Sequence, residues 1–304
     1  MKKPLLALKI DVDTYRGTRL GVPPLVEALR QQDANATFLF SLGPDHTGRA
    51  IKRAFRPGFM KKVKRTSVVE HYGLLTLMYG TLLPGPDIGK RCADIMRAVR
   101  EGGFEVGIHC WDHIRWQDGV EHADAAWTEA ELALAYTRFE KIFGFTAQVH
   151  GAAGWQMNPH ALRLMQQLGF KYTSDSRGTA PYIPVVDGQP IGCPQLPTTL
   201  PTLDELIGVD GVTPDNVAER LLAMTATPHH GHVYTLHAEL EGMKLLPVFE
   251  RLLDGWIEQG YQLCSLAELN DSLDHEALPR CPIERGEIPG RSGTLMSQGV
   301  GLIC

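Results

Sequence analysis

No stretch of this 304-residue chain approaches the roughly 20 consecutive apolar residues that a membrane-spanning helix requires. The N-terminal apolar run, Leu5 to Ile10, is short, is interrupted by Lys9 and is followed by Asp11 and Asp13, with no small-residue cleavage site. It reads as a first strand and not as a leader, so the expected location is cytoplasmic. An excess of positive charge is also missing. Lys and Arg number 30 against 35 Asp and Glu, a net charge of −5, which argues against a general nucleic-acid binder. Cysteine is sparse and contains no Cys-x-x-Cys pair. Cys92, Cys110, Cys193, Cys264, Cys281 and Cys304 are scattered through a chain too long to need disulfide staples, and free thiols are expected.

What is present is a 43% apolar content, enough for one large core of barrel size or for two smaller ones. Strand-like and helix-like runs alternate. Strands are expected at Leu5 to Ile10, Ala36 to Leu42, Phe104 to Ile108, Ala147 to His150, Lys171 to Thr173, His232 to His237 and Tyr261 to Ser265. Between them, helices open at Val22-Pro23-Pro24, at Asp87, at a Thr128/Glu131 capping box, at Asn158-Pro159, at Thr213-Pro214 and at about Leu245, several of them closed by Gly. About seven strands joined by helices predict an α/β fold, a distorted parallel (β/α) barrel formed as one domain over 1–304. The stretch from Pro279 onward, rich in Gly and Arg, is expected to be an irregular tail.

Residues able to do chemistry stand where those strands end, which is where parallel α/β folds and barrels build their sites. Asp11 and Asp13 project from one face of the first strand, about 7 Å apart along it. His109 and His113 follow the third strand, and their i,i+4 spacing places both imidazoles on one face if that segment turns helically. Asp-x-Asp is also common in turns, and His-x-x-x-His occurs by chance on helices. One carboxylate and two imidazoles around a divalent ion, with a position left for water, is nevertheless a catalytic donor set. Zinc, cobalt, manganese and iron all accept it, and iron so held also serves oxygen chemistry. The added Asp11 and His237 fit hydrolysis better.

Asp11-Val12-Asp13, His109-Cys110-Trp111-Asp112-His113, Asp175-Ser176-Arg177 and Leu236-His237 occur in the order and type of the motifs of NodB-like polysaccharide deacetylases. More closely, Ile10 to Thr14, Ala152-Ala153-Gly154-Trp155, Ser174 to Gly178, Leu200-Pro201-Thr202 and Tyr234 to Glu239 resemble the bacterial lipid-linked formamido-arabinose deformylases, over Leu8 to about Arg291. The resemblance implies hydrolysis of the formamide of undecaprenyl-phospho-4-deoxy-4-formamido-L-arabinose, giving the free amino sugar used to mask lipid A phosphates. It implies that Asp13, His109 and His113 hold one divalent metal ion and that Asp11 takes a proton from the attacking water. His237 would protonate the leaving nitrogen, with Asp175 setting its orientation and charge. Trp111, Ala153, Gly154, Trp155 and Arg177 are the substrate-binding candidates. Trp111, Trp116 and Trp155 are also candidates to stack on a sugar ring, with core or rim packing the plain alternative. Two departures from the wider deacetylase pattern stand out. The third motif usually supplies an arginine that pairs with the catalytic aspartate, and none stands in His150-Gly151-Ala152-Ala153-Gly154-Trp155, leaving Arg177 as a candidate partner. Cys110 replaces the usual Ser or Thr and reads as a small packing residue. The alternative functions are an N-deacetylase of an acetylated polysaccharide and a catalytically inactive glycolipid-binding protein.

A basic insertion at about 48–86 concerns where the substrate is met. Arg49, Lys52, Arg53, Arg56, Lys61 and Lys62 alternate with Phe55, Phe59 and other apolar residues, and no acid interrupts them up to Arg65. Such a pattern suits a segment lying in an anionic interface, each charge contributing ~1 kcal/mol near the surface. The bland alternative is a solvated charge run beside a buried helix. With a polyprenyl-phosphate-linked amino sugar as substrate, the expectation is peripheral binding to the inner face of the inner membrane, to anionic lipids, with no obligate protein partner evident.

Overall fold

The computed structural model describes residues 3–50 and 73–301. Its strands, in chain order, are β1 (Leu5–Val12), β2 (Thr37–Ser41), β3 (Glu105–Cys110), β4 (Val149–His150), β5 (Tyr172–Thr173), β6 (Ile183–Val186), β7 (Gln189–Pro190), β8 (His232–His237), β9 (Gln262–Cys264), β10 (Arg280–Glu287) and β11 (Thr294–Gln298). Among the described residues, seven of these form one parallel sheet in the order β5-β4-β3-β2-β1-β8, with β9 beside the first half of β1. They are the seven strands expected from the sequence. The gap between β5 and β8 is bridged by the extended stretch 195–199. Leu196 N donates to Thr173 O at 2.8 Å, and Thr199 N donates to Val233 O at 3.0 Å, so the sheet closes into an irregular barrel.

Alternation along β1 sorts its side chains into two layers. Leu6, Leu8, Ile10 and Val12 belong to the larger core between sheet and helices, with Leu25, Leu29, Phe249 and Leu252. Ala7 points into the barrel with Leu39, Val149, Tyr172, Leu196, Val233 and Cys264. Lys9, Asp11 and Asp13 share that inner parity. Parallel strands buried on both faces are apolar almost throughout. Three charges in a row on the inner face of the central strand therefore mark the end where burial gives way to chemistry.

Side-chain caps set most helix starts. Asp112, Asp124, Asn158 and Ser265 accept from the backbone N–H of Arg115, Trp127, Ala161 and Glu268. The helix expected to open at a Thr128/Glu131 box starts a turn earlier, as Ala125–Phe143 capped by Asp124, and Glu131 instead pairs with Arg115 at 2.8 Å. The helix expected from Asp87 breaks at Cys92 into Ile88–Arg91 and Ala93–Glu101. After Thr213-Pro214, helical structure begins at Val217, because the Asn216 side chain folds back to accept from Thr213 N.

The C-terminal stretch corrects the expectation of an irregular tail. β10 and β11 form an antiparallel hairpin, and β10 pairs in parallel with β6, giving a second sheet in the order β11-β10-β6-β7. The partner of β10 lies about a hundred residues upstream, so the local Gly- and Arg-rich composition carries no sign of the pairing. Of the basic insertion, Lys52, Arg53, Phe55, Arg56, Phe59, Lys61 and Lys62 lie outside the described residues. Arg49 is described: its Nε donates to Gly80 O at 3.1 Å, and its Nη1 is 3.9 Å from Asp112. No helix among the described residues is long and apolar enough to cross a membrane, and the five described cysteines are free and buried.

Candidate active site

β1 and β3 lie on either side of β2, and their C-terminal ends bring Asp13 and His109 together. His109 Nε2 is 3.2 Å from Asp13 Oδ1, and His113 Nε2 is 3.4 Å from Asp13 Oδ2. The two imidazoles do not meet by helical periodicity. His109 is the penultimate residue of β3, and His113 is the first residue of the helix His113–Gly119, whose cap is Asp112. The turn between them, not a shared helix face, brings their rings to 5.3 Å. Asp112 is fixed in turn by His46, at 2.6 Å.

This cluster has the spacing and the charge that a cation needs. A small ion held at about 2.0–2.1 Å by each donor separates those donors by about 3–3.4 Å, the spacing found between Asp13 and the two imidazoles. His109 Nδ1 donates to Gly151 O at 2.6 Å, which leaves the Nε2 lone pair directed at the centre. Asp11 Oδ1 and Asp13 Oδ1 are buried and lack hydrogen-bond partners among the described residues. Burial raises the Asp13 carboxyl, but His113, His109 and His237 outweigh it and hold the group well below the usual carboxylate range. Burial lowers His109, yet Asp11 and Asp13 outweigh that and raise it. Both shifts describe a centre that seeks positive charge.

Asp11 and His237 are register partners on the adjacent strands β1 and β8, so both side chains leave the sheet at the same level. His237 N donates to Glu241 Oε2 at 3.0 Å, and Tyr234 Oη donates to Glu241 Oε1 at 3.0 Å. The Glu241 carboxyl is pushed up to about 7 by burial, with His237 pulling the other way. The native state thus keeps a proton that the unfolded chain has already lost, and stability falls as pH rises from about 4.5 to about 7. The size is on the order of 3 kcal/mol. Glu241→Gln has nothing to ionise there, so its melting temperature, followed calorimetrically from pH 5 to pH 8, should decline less than that of the parent.

Asp175 pairs with His150 and Gln195. Its side chain is fully buried, and Oδ1 accepts from His150 Nδ1 at 2.7 Å while Oδ2 accepts from Gln195 Nε2 at 3.2 Å. The backbone of His237 is held by Glu241. Burial raises the Asp175 carboxyl, but His150 more than offsets this and holds it below its ordinary value.

The substrate-binding candidates divide. Trp111 and Gly154 are half-buried, whereas Ala153, Trp155 and Arg177 are buried. Trp155 is 1% exposed, its indole N–H donates to Thr198, and Lys9, Arg177 and Arg291 surround its ring at 5.3, 5.1 and 4.3 Å. Crowded by those cations, the ring is packed inside the fold. Trp116 is likewise buried, its ring tilted against Trp127 and edge-on to His150. Arg177 does not reach Asp11. Its guanidinium donates to Glu205 at 2.7 Å and to Leu200 O at 3.1 Å. Cys110 packs against Ser41 at 3.2 Å, as a small buried residue.

Sequence reasoning passed over Lys9 and Glu239. Lys9 is buried with its Nζ 3.5 Å from Asp11 Oδ2. Its signal was available, since it shares the parity of Asp11 and Asp13. Burial draws its amine below the usual lysine value, while Asp11 and Asp175 pull it up. Glu239 Oε1 accepts from Thr14 N at 2.8 Å, Thr14 Oγ1 at 2.7 Å and Asp13 N at 3.2 Å, which fixes the turn that presents Asp13.

No family model matches the sequence. The chain is 39% identical over 295 residues to a protein of Shewanella sediminis named as a probable 4-deoxy-4-formamido-L-arabinose-phosphoundecaprenol deformylase, ArnD, covering 96% of this chain and 94% of that one. It is 34% identical over 283 residues to a protein of the same name from Wigglesworthia glossinidia brevipalpis, covering 93% and 98%. Among solved structures, a Mycobacterium smegmatis protein assigned as a polysaccharide deacetylase superposes with a TM-score of 0.60 at 16% identity, covering 94% of this chain and 96% of that one. The Xyl-CE4 domain of a multidomain xylanase from the hindgut metagenome of Trinervitermes trinervoides gives 0.51 at 11% identity, covering 91% and 95%. The structural likenesses establish the NodB-like deacetylase fold, and the two sequence matches, each running nearly end to end, place the chain in the family of 4-deoxy-4-formamido-L-arabinose-phosphoundecaprenol deformylases.

Proposed function

We propose that this chain hydrolyses the formamide of undecaprenyl-phospho-4-deoxy-4-formamido-L-arabinose to formate and the free amino sugar, with a divalent ion held by Asp13, His109 and His113, in service of lipid A modification and resistance to cationic antimicrobial peptides. The observation that carries the reading is the convergence of those three donors beside Asp11 and His237, in a chain whose curated relatives bear that name.

The ion, when bound, would polarise the formyl oxygen and make a neighbouring water acidic enough to attack near neutral pH. Asp11 offers Oδ1, a buried oxygen without a hydrogen-bond partner, to accept the proton of that water. Water oxygen bonds to the formyl carbon, the C–N bond breaks, and the nitrogen leaves as an amine only if it gains a proton. His237, level with Asp11 on the next strand, donates it, and Glu241 fixes the backbone from which that imidazole projects.

The lipid-linked substrate also favours docking at an anionic bilayer. Leu74, Leu75 and Leu82, 69%, 56% and 79% exposed, lie in the later part of that insertion, after its basic run, and leave an apolar surface in water that a membrane would cover.

The test is product analysis with the lipid-linked formamido sugar, its acetamido analogue and soluble acetylated chitin oligomers as parallel substrates. Formate release from the first should exceed acetate release from the others by at least ~10-fold. Faster acetate release from the oligomers would assign the site to a polysaccharide deacetylase.

A further inference from the structure

Asp11 has a cationic neighbour that the third sequence motif does not supply. Lys9 lies two residues upstream on β1, so strand alternation turns its side chain into the barrel directly below Asp11. There it is fully buried. Its Nζ donates to Ser174 O at 2.8 Å, lies 3.5 Å from Asp11 Oδ2 and stands 5.3 Å from the centre of the Trp155 ring. A carbonyl, a carboxylate and an aromatic face are all groups that attract a cation. Room for the amine comes from Gly151, where a Cβ would stand 2.9 Å from Lys9 Cε and 3.2 Å from Nζ. The stretch that begins His150-Gly151-Ala152 brings no arginine, and at its glycine it yields space to a side chain arriving from β1.

We propose that Lys9 is the positioning residue of the catalytic base, holding Asp11 by Oδ2 so that Oδ1 faces the reacting water and the carboxylate stays out of the metal's coordination shell. The inference rests on the reading of Asp11 as the base. The two oxygens of Asp11 have different surroundings, as this division requires. Oδ2 faces the amine, whereas Oδ1 has no hydrogen-bond partner among the described residues and lies 3.7 Å from His109 Nδ1. That nitrogen's proton is already given to Gly151 O. Without a cation at its back, a buried carboxylate next to a divalent ion is drawn onto it as a further ligand. A base consumed as a ligand no longer accepts a proton. Lys9 itself transfers none.

The test uses Lys9→Met, which removes the charge, and Lys9→Arg, which keeps it, each assayed on the amide that the parent turns over and each titrated as apoprotein with Co²⁺. For Lys9→Met, kcat should fall ~100-fold, within the range of a mispositioned general base, with KM within ~3-fold of the parent. Its Co²⁺ affinity should equal or exceed the parent's, because Asp11 is freed toward the ion. Lys9→Arg should recover kcat to within ~10-fold. A kcat for Lys9→Met within ~3-fold of the parent overturns the proposal. So does a Co²⁺ affinity that falls together with kcat, as a purely structural loss would produce, and so does Lys9→Arg as impaired as Lys9→Met. If Lys9→Met does not fold, Lys9→Gln is read in the same way. A chain that folds only with a cation at position 9 assigns the lysine to stability and overturns the proposal as well. A parent that hydrolyses no amide would refute the functional reading separately, and the Co²⁺ comparison would still decide whether Lys9 restrains Asp11.

Discussion

Asp13→Ala is expected to lose formate release by at least ~10³-fold, and chelation of the parent should do the same. Both Asp13 oxygens face imidazole nitrogens, at 3.2 and 3.4 Å, and among the described residues no other carboxylate joins His109 and His113 in such a cluster. Removing it leaves two neutral donors, too few to hold an ion in competition with water. The lost Lewis acid corresponds to several kcal/mol of transition-state stabilisation, at about 1.36 kcal/mol per tenfold in rate. The fold should survive, because the turn at Asp13 is held through backbone N–H groups by Glu239 and His109 keeps its bond to Gly151 O. Metal content and activity measured together check the argument. Divalent ion should restore the chelated parent and leave Asp13→Ala inactive. A variant that keeps more than a tenth of the parent's rate would move the chemistry elsewhere in the chain.

The barrel was legible because its strands are buried on both faces, and short apolar runs between helix caps give that away without any knowledge of partners. The second sheet was not. β10 and β11 find their register through β6, and a pairing across so much intervening chain leaves no mark on the composition of Arg280 to Gln298. The same division holds within the site. Asp11, Asp13, His109 and His237 stand at strand ends, with His113 opening the helix that follows β3, and their types and order were readable. The partner of Asp175 depended on Gln195 and His150 converging from separate segments, which only the closed barrel brings together. Lys9 lies between the two cases. Read as an interruption of an apolar run it carried no function, whereas read by parity with Asp11 and Asp13 it belongs to the site. A charged residue on the inner face of a central strand needs a partner of opposite charge, and the nearest candidate in sequence was the right one.

Asp11→Asn and His237→Gln should each reduce kcat by ~10²–10⁴-fold on the formamide, and a change of leaving group should separate them. Asparagine offers no basic oxygen, so the attacking water keeps its proton whatever group departs. Glutamine at 237 offers no acidic proton, and that matters in proportion to how strongly the leaving atom needs one. An amide nitrogen needs it almost absolutely, because an amide anion is too basic to depart. An alkoxide needs it much less. In a formyl ester analogue, with oxygen replacing nitrogen at the same sugar carbon, His237→Gln should therefore recover most of its rate relative to the parent while Asp11→Asn stays impaired. Bound metal should remain stoichiometric in both variants, since neither side chain belongs to the Asp13, His109 and His113 set. Equal losses for His237→Gln on ester and amide would remove its assignment as acid. The imidazole would then be stabilising the oxyanion or binding the sugar, and Glu241 would be holding its backbone for that purpose.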